Sequence, residues 1–364
     1  MCPNEPAQPD LPIFAASALL DISADYQDHR AQREQVRYGY SDGDYWGAIP
    51  FVSDIFRGQN QRYLPMLPSI MRGLEVNNSG ALWESPLGDQ TKIILRLAQS
   101  WWFGRELDYH PITSHAESQK LKLDRIALAQ HYGIPTGYLD LTDDFNVGAF
   151  FATCREVRGS WEPVAEGVGI IYRVQLKDLR NPFGRYEPLG PQLLPRPSEQ
   201  CAWVTELPIT HSFDGWPDVM VMQFNQDKSV GEHFLRKFDG GKTLFPFDPL
   251  ADVAAEIIGC REIPTILVER AIDSFATDPL GVRPDQVVTI RRQLSQSITM
   301  IDYRRLLTEE RVSALRSDFE WRKKMLAEVK VRWRMVRAEP ASANEVPHAV
   351  GPVNGLDTEK GPAA

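Results

Sequence analysis

Residues 128–152 read LAQHYGIPTGYLDLTDDFNVGAFFA. The stretch opens on the end of an amphipathic helix. Over residues 114–132, Leu121, Ile126, Leu128 and Ala129 fall on or near one face at helical spacing. Gly133 and Pro135 stop that helix, because glycine accepts the left-handed C-terminal turn and proline has no N–H to continue it. Residues 137–141 (GYLDL) predict a short strand. Thr142, Asp143 and Asp144 then place a hydroxyl and carboxylates where a helix start leaves amide N–H groups unpaired. Residues 145–156 (FNVGAFFATCRE) predict the helix that follows.

Working outward, residues 51–57 predict a strand ending at Arg57–Gly58, and residues 64–72 a proline-punctuated turn and helix start. Residues 90–103 repeat apolar positions as a helix does. Downstream, strands are expected over 168–176, 200–207, 219–224 and 265–269, and helices over 250–260 and 284–294. Strands and helices interleave irregularly. The pattern predicts an α+β fold, with mixed, largely antiparallel central sheets and flanking helices, over a regular βαβ series. Residues 308–337 predict a long helix with nine basic and five acidic residues, interleaved with Trp321 and Trp333. Such a face is either solvated or a contact surface for nucleic acid or a partner protein. The organisation expected is a leader and helix (1–44), a main domain (45–305), the basic C-terminal helix (306–337) and a disordered tail (338–364).

The 364 residues are 43% hydrophobic and 24% charged, which suits a globular chain with a substantial core and excludes collagen-like or disordered classes. No window approaches the ~18 apolar residues of a membrane-spanning helix. The start, MCPNEPAQPDLPIF, lacks the basic region of a secretory signal, so a cytoplasmic location is expected. The net charge of −9 disfavours passive wrapping of nucleic acid. The four cysteines have no CxxC spacing and the seven histidines no metal-binding spacing, so neither a disulfide framework nor a metal centre is predicted. Rossmann, P-loop and hydrolase motifs are missing.

Two segments carry a resemblance. Phe56, Arg57, Gly58 and Gln59 form one. The other runs Ala129, Gln130, His131, Tyr132, Gly133, Pro135, Thr136, Leu139, Asp140 and Thr142, then Ala149, Phe151 and Ala152. In order and residue type these resemble the FRG domain family, named for its Phe-Arg-Gly triplet. Arg196 and Gln200 match a third family feature, with Ala202 in place of its glycine. Gly137 and Leu141 stand where the family usually has Arg and Trp. The pattern is also similar to ADP-ribosyltransferases of the Arg-Ser-Glu type. That similarity implies an ADP-ribosyltransferase-like core that takes NAD as substrate, with Arg57, Thr142 and Gln200 as catalytic elements. Arg57, Gly58, Gln59, His131 and Tyr132 would be the ligand contacts. The resemblance to FRG domain proteins further implies a toxin or antiviral-defence effector acting on a macromolecular acceptor, protein or nucleic acid. An antitoxin or partner protein would dock on the C-terminal helix, and no membrane is involved.

Each residue also has a plainer reading. Arg57 suits a pyrophosphate, since its guanidinium presents donors in a fixed fork, or it fixes a strand end. Gly58 admits a ligand to the backbone or serves backbone shape. His131 and Tyr132 border a site or pack in the core. Asp140 is a catalytic carboxylate or satisfies nearby amides. Thr142 holds a ligand or caps the helix, and Phe150 and Phe151 are core. Gln200 departs from the family's glutamate, because an amide hydrogen-bonds but cannot stabilise a sugar cation as a carboxylate does. Glu199 and Glu206 are nearby alternatives. A nucleotide-binding or interaction module without catalysis is the alternative function.

Overall fold

In the computed structural model, residues 12–33, 36–42, 45–50, 53–63, 65–75, 81–118, 123–176, 186–189, 194–207, 212–278, 281–328 and 332–335 are described. A short strand β1 (Ile13–Ala15) and helix α1 (Ala18–Arg33) precede a hairpin of β2 (Val36–Asp42) and β3 (Tyr45–Pro50). Strand β4 (Asp54–Gln59) is followed by α2 (Leu87–Leu107), α3 (Pro111–Ser118) and α4 (Arg125–His131). Next come β5 (Tyr138–Thr142), α5 (Phe145–Thr153), the hairpin β6 (Cys154–Val157) and β7 (Ser160–Pro163), and β8 (Val168–Gln175). Strand β9 (Tyr186–Pro188), helix α6 (Pro195–Glu199), β10 (Ala202–Glu206), β11 (Val219–Asn225) and α7 (Lys228–Lys237) complete the sheet region. The chain continues through α8 (Pro249–Gly259), β12 (Glu262–Pro264), α9 (Thr265–Thr277), α10 (Pro284–Ser297), β13 (Thr299–Ile301), α11 (Glu309–Glu328) and β14 (Arg332–Met335).

Seven strands form the main sheet in the order β1-β11-β8-β4-β5-β10-β9. All neighbours are antiparallel except β1 with β11. The fold is α+β, as the irregular interleaving predicts. Alternation along the strands divides the sheet into two faces. On one face Phe56 and Ile171 pack with Phe145, Phe150 and Phe234 from α5 and α7. Further along that face, Ala202 and Val204 pack with α2 and α4 through Ile93, Trp102, Phe103 and Leu128. On the opposite face Ile55, Leu139, Leu141, Tyr172 and Trp203 are closed over by Met66, Leu207 and Phe213. No described helix is long and apolar enough to cross a membrane.

Several expectations are corrected. The single helix over 114–132 is two, because Asp124 caps a new start: its Oδ1 accepts the Ile126 and Ala127 N–H groups at 3.0 and 2.8 Å. The strand over 265–269 is the first turn of α9. Leu267, Val268, Ala271, Ile272 and Phe275 are buried at helical spacing, a period that five residues are too few to display. The helix over 145–156 ends at Thr153, and the loop after it is a hairpin whose turn residues Arg158 and Gly159 have φ of 53° and 81°. The strand over 200–207 begins at Ala202, because Cys201 has φ 48° and turns the chain. The strand expected at 51–57 is Asp54–Gln59, and residues 51 and 52 lie outside the described residues. The C-terminal helix stops at Glu328, and Arg332–Met335 pairs in parallel with β2. The expected tail lies outside the described residues.

Packing continues across both expected boundaries of the main domain. Ala16 and Leu19 join the cluster of Phe56 and Phe145, and Val312 and Leu315 join that of α2. A buried carboxylate fastens the second junction. Glu106 on α2 is 0% exposed; its Oε1 accepts the Tyr303 hydroxyl at 2.7 Å, and its Oε2 accepts the amides of Leu306 and Leu307 at 2.9 and 2.7 Å. Removing the carboxylate strands two buried amides. Glu106→Ala is expected to lower stability by about 3 kcal/mol, read as a lower urea midpoint in equilibrium unfolding.

Candidate functional site

Strand β4 reads DIFRGQ, so Phe56 and Gly58 leave one face and Ile55, Arg57 and Gln59 the other. Phe56 is paired with Thr142, the one register pair recorded between β4 and β5 among the described residues. Beyond it the two strands part. The carbonyl of Asp140 on β5 then has no strand partner from β4, and the Arg57 guanidinium reaches across to it, Nη1 donating at 2.6 Å. Burial and then the neighbouring Arg72 push the Arg57 pKa down to about 10, while Asp140 pulls it up.

The Asp140 carboxylate continues the chain of contacts. Its Oδ2 accepts the Gln130 amide at 3.0 Å, and its Oδ1 lies 3.3 Å from Nε2 of His131. Gln130 is held in turn, its Oε1 accepting the hydroxyls of Ser69 at 2.5 Å and Thr136 at 2.8 Å. Nδ1 of His131 is 3.3 Å from Gln200 Oε1. Since Gln200 Nε2 donates to the Leu244 carbonyl at 3.0 Å, Oε1 is the atom that faces the ring. Thr142 Oγ donates to the Gln200 carbonyl at 2.7 Å and accepts the Asp144 amide at 3.1 Å. Arg57, Asp140, His131, Gln200 and Thr142 thus form one connected polar network.

Within that network the residues differ in what remains available. The polar atoms of Thr142 and Gln200 are engaged by the protein itself. Nε of Arg57, Oδ1 of Asp140 and Nε2 of His131 are buried without a well-aligned hydrogen bond. The Asp140 side chain is 38% exposed, against 2% for His131. The outward-facing group is therefore Asp140, with His131 behind it and Arg57 half-buried beside it. The helix cap is Asp144, which accepts the Asn146 amide at 2.8 Å; Thr142 only supports it.

Two expected ligand contacts are filled by protein. A Cβ on Gly58 would lie 1.8 Å from the Gly148 carbonyl oxygen of α5, so the bare backbone at Gly58 admits a helix where a ligand was expected. The Tyr132 ring packs on Phe103 with centroids 5.4 Å apart, and its hydroxyl donates to Asp248, the N-cap of α8. Gln59 shares the face of Arg57 and is 7% exposed. Arg196 holds the His131 carbonyl at 3.1 Å and lies over Tyr132 and Phe245. Gln200 is the C-cap of α6 and Glu199 its last residue, while Glu206 sits at the far end of β10 opposite Tyr138. Sequence reasoning gave no site role to Gln130, although it precedes His131 in the motif, or to Tyr172, which an apolar strand conceals. Among the described residues no group of three or more His, Cys, Asp or Glu side chains is placed to hold a metal.

A model of the FRG domain family matches residues 53–160, so this chain carries an FRG domain over that span. No curated protein and no solved structure matches the chain.

Gly58→Ala is expected to force α5 away from β4 and cost about 3 kcal/mol, measured by thermal and urea denaturation. A second expectation concerns Glu206, exposed at the end of β10, whose carboxyl is pushed up to about 7 by partial desolvation first and then by Asp124 and Glu187. Folding favours its protonated form, so its contribution is full below the ordinary value of 4.5 and is lost as pH rises through about 7. Glu206→Gln should shrink the fall in Tm between about pH 5 and about pH 8.

Proposed function

We propose that the FRG domain of this chain binds a dinucleotide of the NAD type where β4 and β5 part, and transfers its ADP-ribose to a macromolecule. The observation that carries this reading is that the Arg57 guanidinium, bonded to the main-chain carbonyl of Asp140, and the partly exposed Asp140 carboxylate lie at one parting of the sheet, with Nε of Arg57 lacking a hydrogen-bond partner. The cation suits the pyrophosphate. The carboxylate suits the positive charge that develops on the ribose as the bond to nicotinamide breaks and nicotinamide leaves with the electron pair. An acceptor nucleophile then bonds to the ribose carbon and releases its proton to solvent. In this arrangement the carboxylate role falls to Asp140, and Gln200 and Thr142 hold His131 and β5 in place from behind. The resemblance adds the biological setting, a toxin or antiviral-defence effector with a protein or nucleic-acid acceptor and a partner docking through residues beyond 306.

A second reading, nucleotide binding without turnover, is favoured by the engagement of Thr142 and Gln200 with protein groups. Nicotinamide release from NAD in the presence of cell lysate separates the two. The transferase reading expects release by the wild-type chain and a loss of about a hundredfold or more in Arg57→Ala and Asp140→Asn. Release that is undiminished in both variants, or no release at all, defeats it. NAD binding without release establishes the second reading.

A further inference from the structure

Arg57 has a second side. Alternation places its stem on the face that carries Tyr172, its register partner on β8, and Gln59, two residues along β4. Three polar atoms on this patch are buried and lack a hydrogen-bond partner: Nε of Arg57, the hydroxyl of Tyr172 and Oε1 of Gln59. Tyr172 is 1% exposed and Gln59 7%, so water does not reach these side chains freely. An unpaired buried polar group costs about 1–3 kcal/mol, and three on one patch of two adjacent strands call for a common explanation.

The surrounding charge supplies it. Arg72 acts on Arg57, and both Arg62 and Arg57 act on the Tyr172 hydroxyl. The carboxylate that opposes them at Tyr172 is Asp214, whose Oδ1 is already held by the Ser212 hydroxyl and, at 3.2 Å, by the Met66 amide. Arg57 Nε and the Tyr172 hydroxyl are thus donors on neighbouring strands, Gln59 Oε1 is an acceptor on the same face, and Arg62 and Arg72 add positive charge around them.

We infer that Arg57, Tyr172 and Gln59, with Arg62 and Arg72 at the rim, form a subsite for a phosphate or pyrophosphate group. Its oxygens accept from Arg57 Nε and the Tyr172 hydroxyl, and Gln59 Oε1 accepts from a hydroxyl or N–H on the same ligand. The inference deepens the dinucleotide reading and rests on it for the identity of the whole ligand.

Calorimetric titration of the full chain with inorganic pyrophosphate, and separately with NAD, tests it. Tyr172→Phe removes only an unpartnered hydroxyl, so it should fold with unchanged or slightly raised Tm. Pyrophosphate is expected to bind the wild-type chain and to bind Tyr172→Phe about tenfold more weakly. Arg72→Ala should also weaken it, with a reduced salt dependence. No pyrophosphate binding, or equal binding to the wild-type and Tyr172→Phe chains, overturns the subsite. Pyrophosphate binding with the expected Tyr172 dependence but no binding of NAD upholds the subsite and removes the dinucleotide reading. NAD binding that is indifferent to Tyr172→Phe upholds the dinucleotide and removes the subsite.

Discussion

The approach of helix α5 to strand β4 at Gly58 governs the rest of the site. Two residues after β5 ends, the chain enters α5 and crosses back over β4, so close that only a glycine fits beneath the Gly148 carbonyl. That crossing presses Phe56 into the cluster of Phe145 and Phe150 and fastens β4 to β5 at the Phe56–Thr142 pair. Past that pair the strands part, and the vacated ladder position is taken by the Arg57 guanidinium. The Phe-Arg-Gly triplet thus has three separate tasks. Phe56 anchors the strand in the core, Arg57 bridges the parting, and Gly58 admits the helix.

Behind Arg57 the polar groups are mutually satisfied to an unequal degree. Gln130, Ser69 and Thr136 hold one oxygen of Asp140 through a closed set of hydrogen bonds. Thr142, Gln200 and Leu244 fix the imidazole of His131 through another. Such networks rigidify what they surround when each member has a partner. The atoms left over are gathered at Arg57 and on either side of it, on Asp140 and His131 towards one face and on Tyr172 and Gln59 towards the other. A protein that binds nothing there would carry those desolvated groups at a cost in stability.

Much of this was legible in the sequence, for physical reasons that differ by element. The helix-strand-helix order of residues 128–152 could be read because Gly133, Pro135 and the Asp-rich cap act locally. The family-like segments brought Arg57, Asp140, His131 and Thr142 to attention, and the structure joins them in one network. Facing direction was not legible. Whether Arg57 and Thr142 leave the same side of the sheet depends on the register Phe56–Thr142, a pairing of residues far apart in the chain. Gly58 was open to two readings, since a glycine beside a ligand and a glycine beneath a helix look alike in sequence. The short apolar run at 265–269 fitted a strand until the helical period of residues 267–275 was set by burial against α2. The Arg332–Met335 strand was hidden because its partner, β2, lies near the other end of the chain.

That last pairing bears on the order of assembly. As the ribosome releases the chain from its N-terminus, the β2–β3 hairpin emerges early, yet its third strand appears only once residues 332–335 are free. Strand β1 likewise waits for β11. Between the emergence of these strands and that of their partners a nascent chain therefore holds unfilled sheet edges, the kind of surface that chaperones cover and aggregation exploits. The three-stranded sheet cannot close before residues 332–335 are free, so a chain broken off ahead of them leaves β2 with one open side.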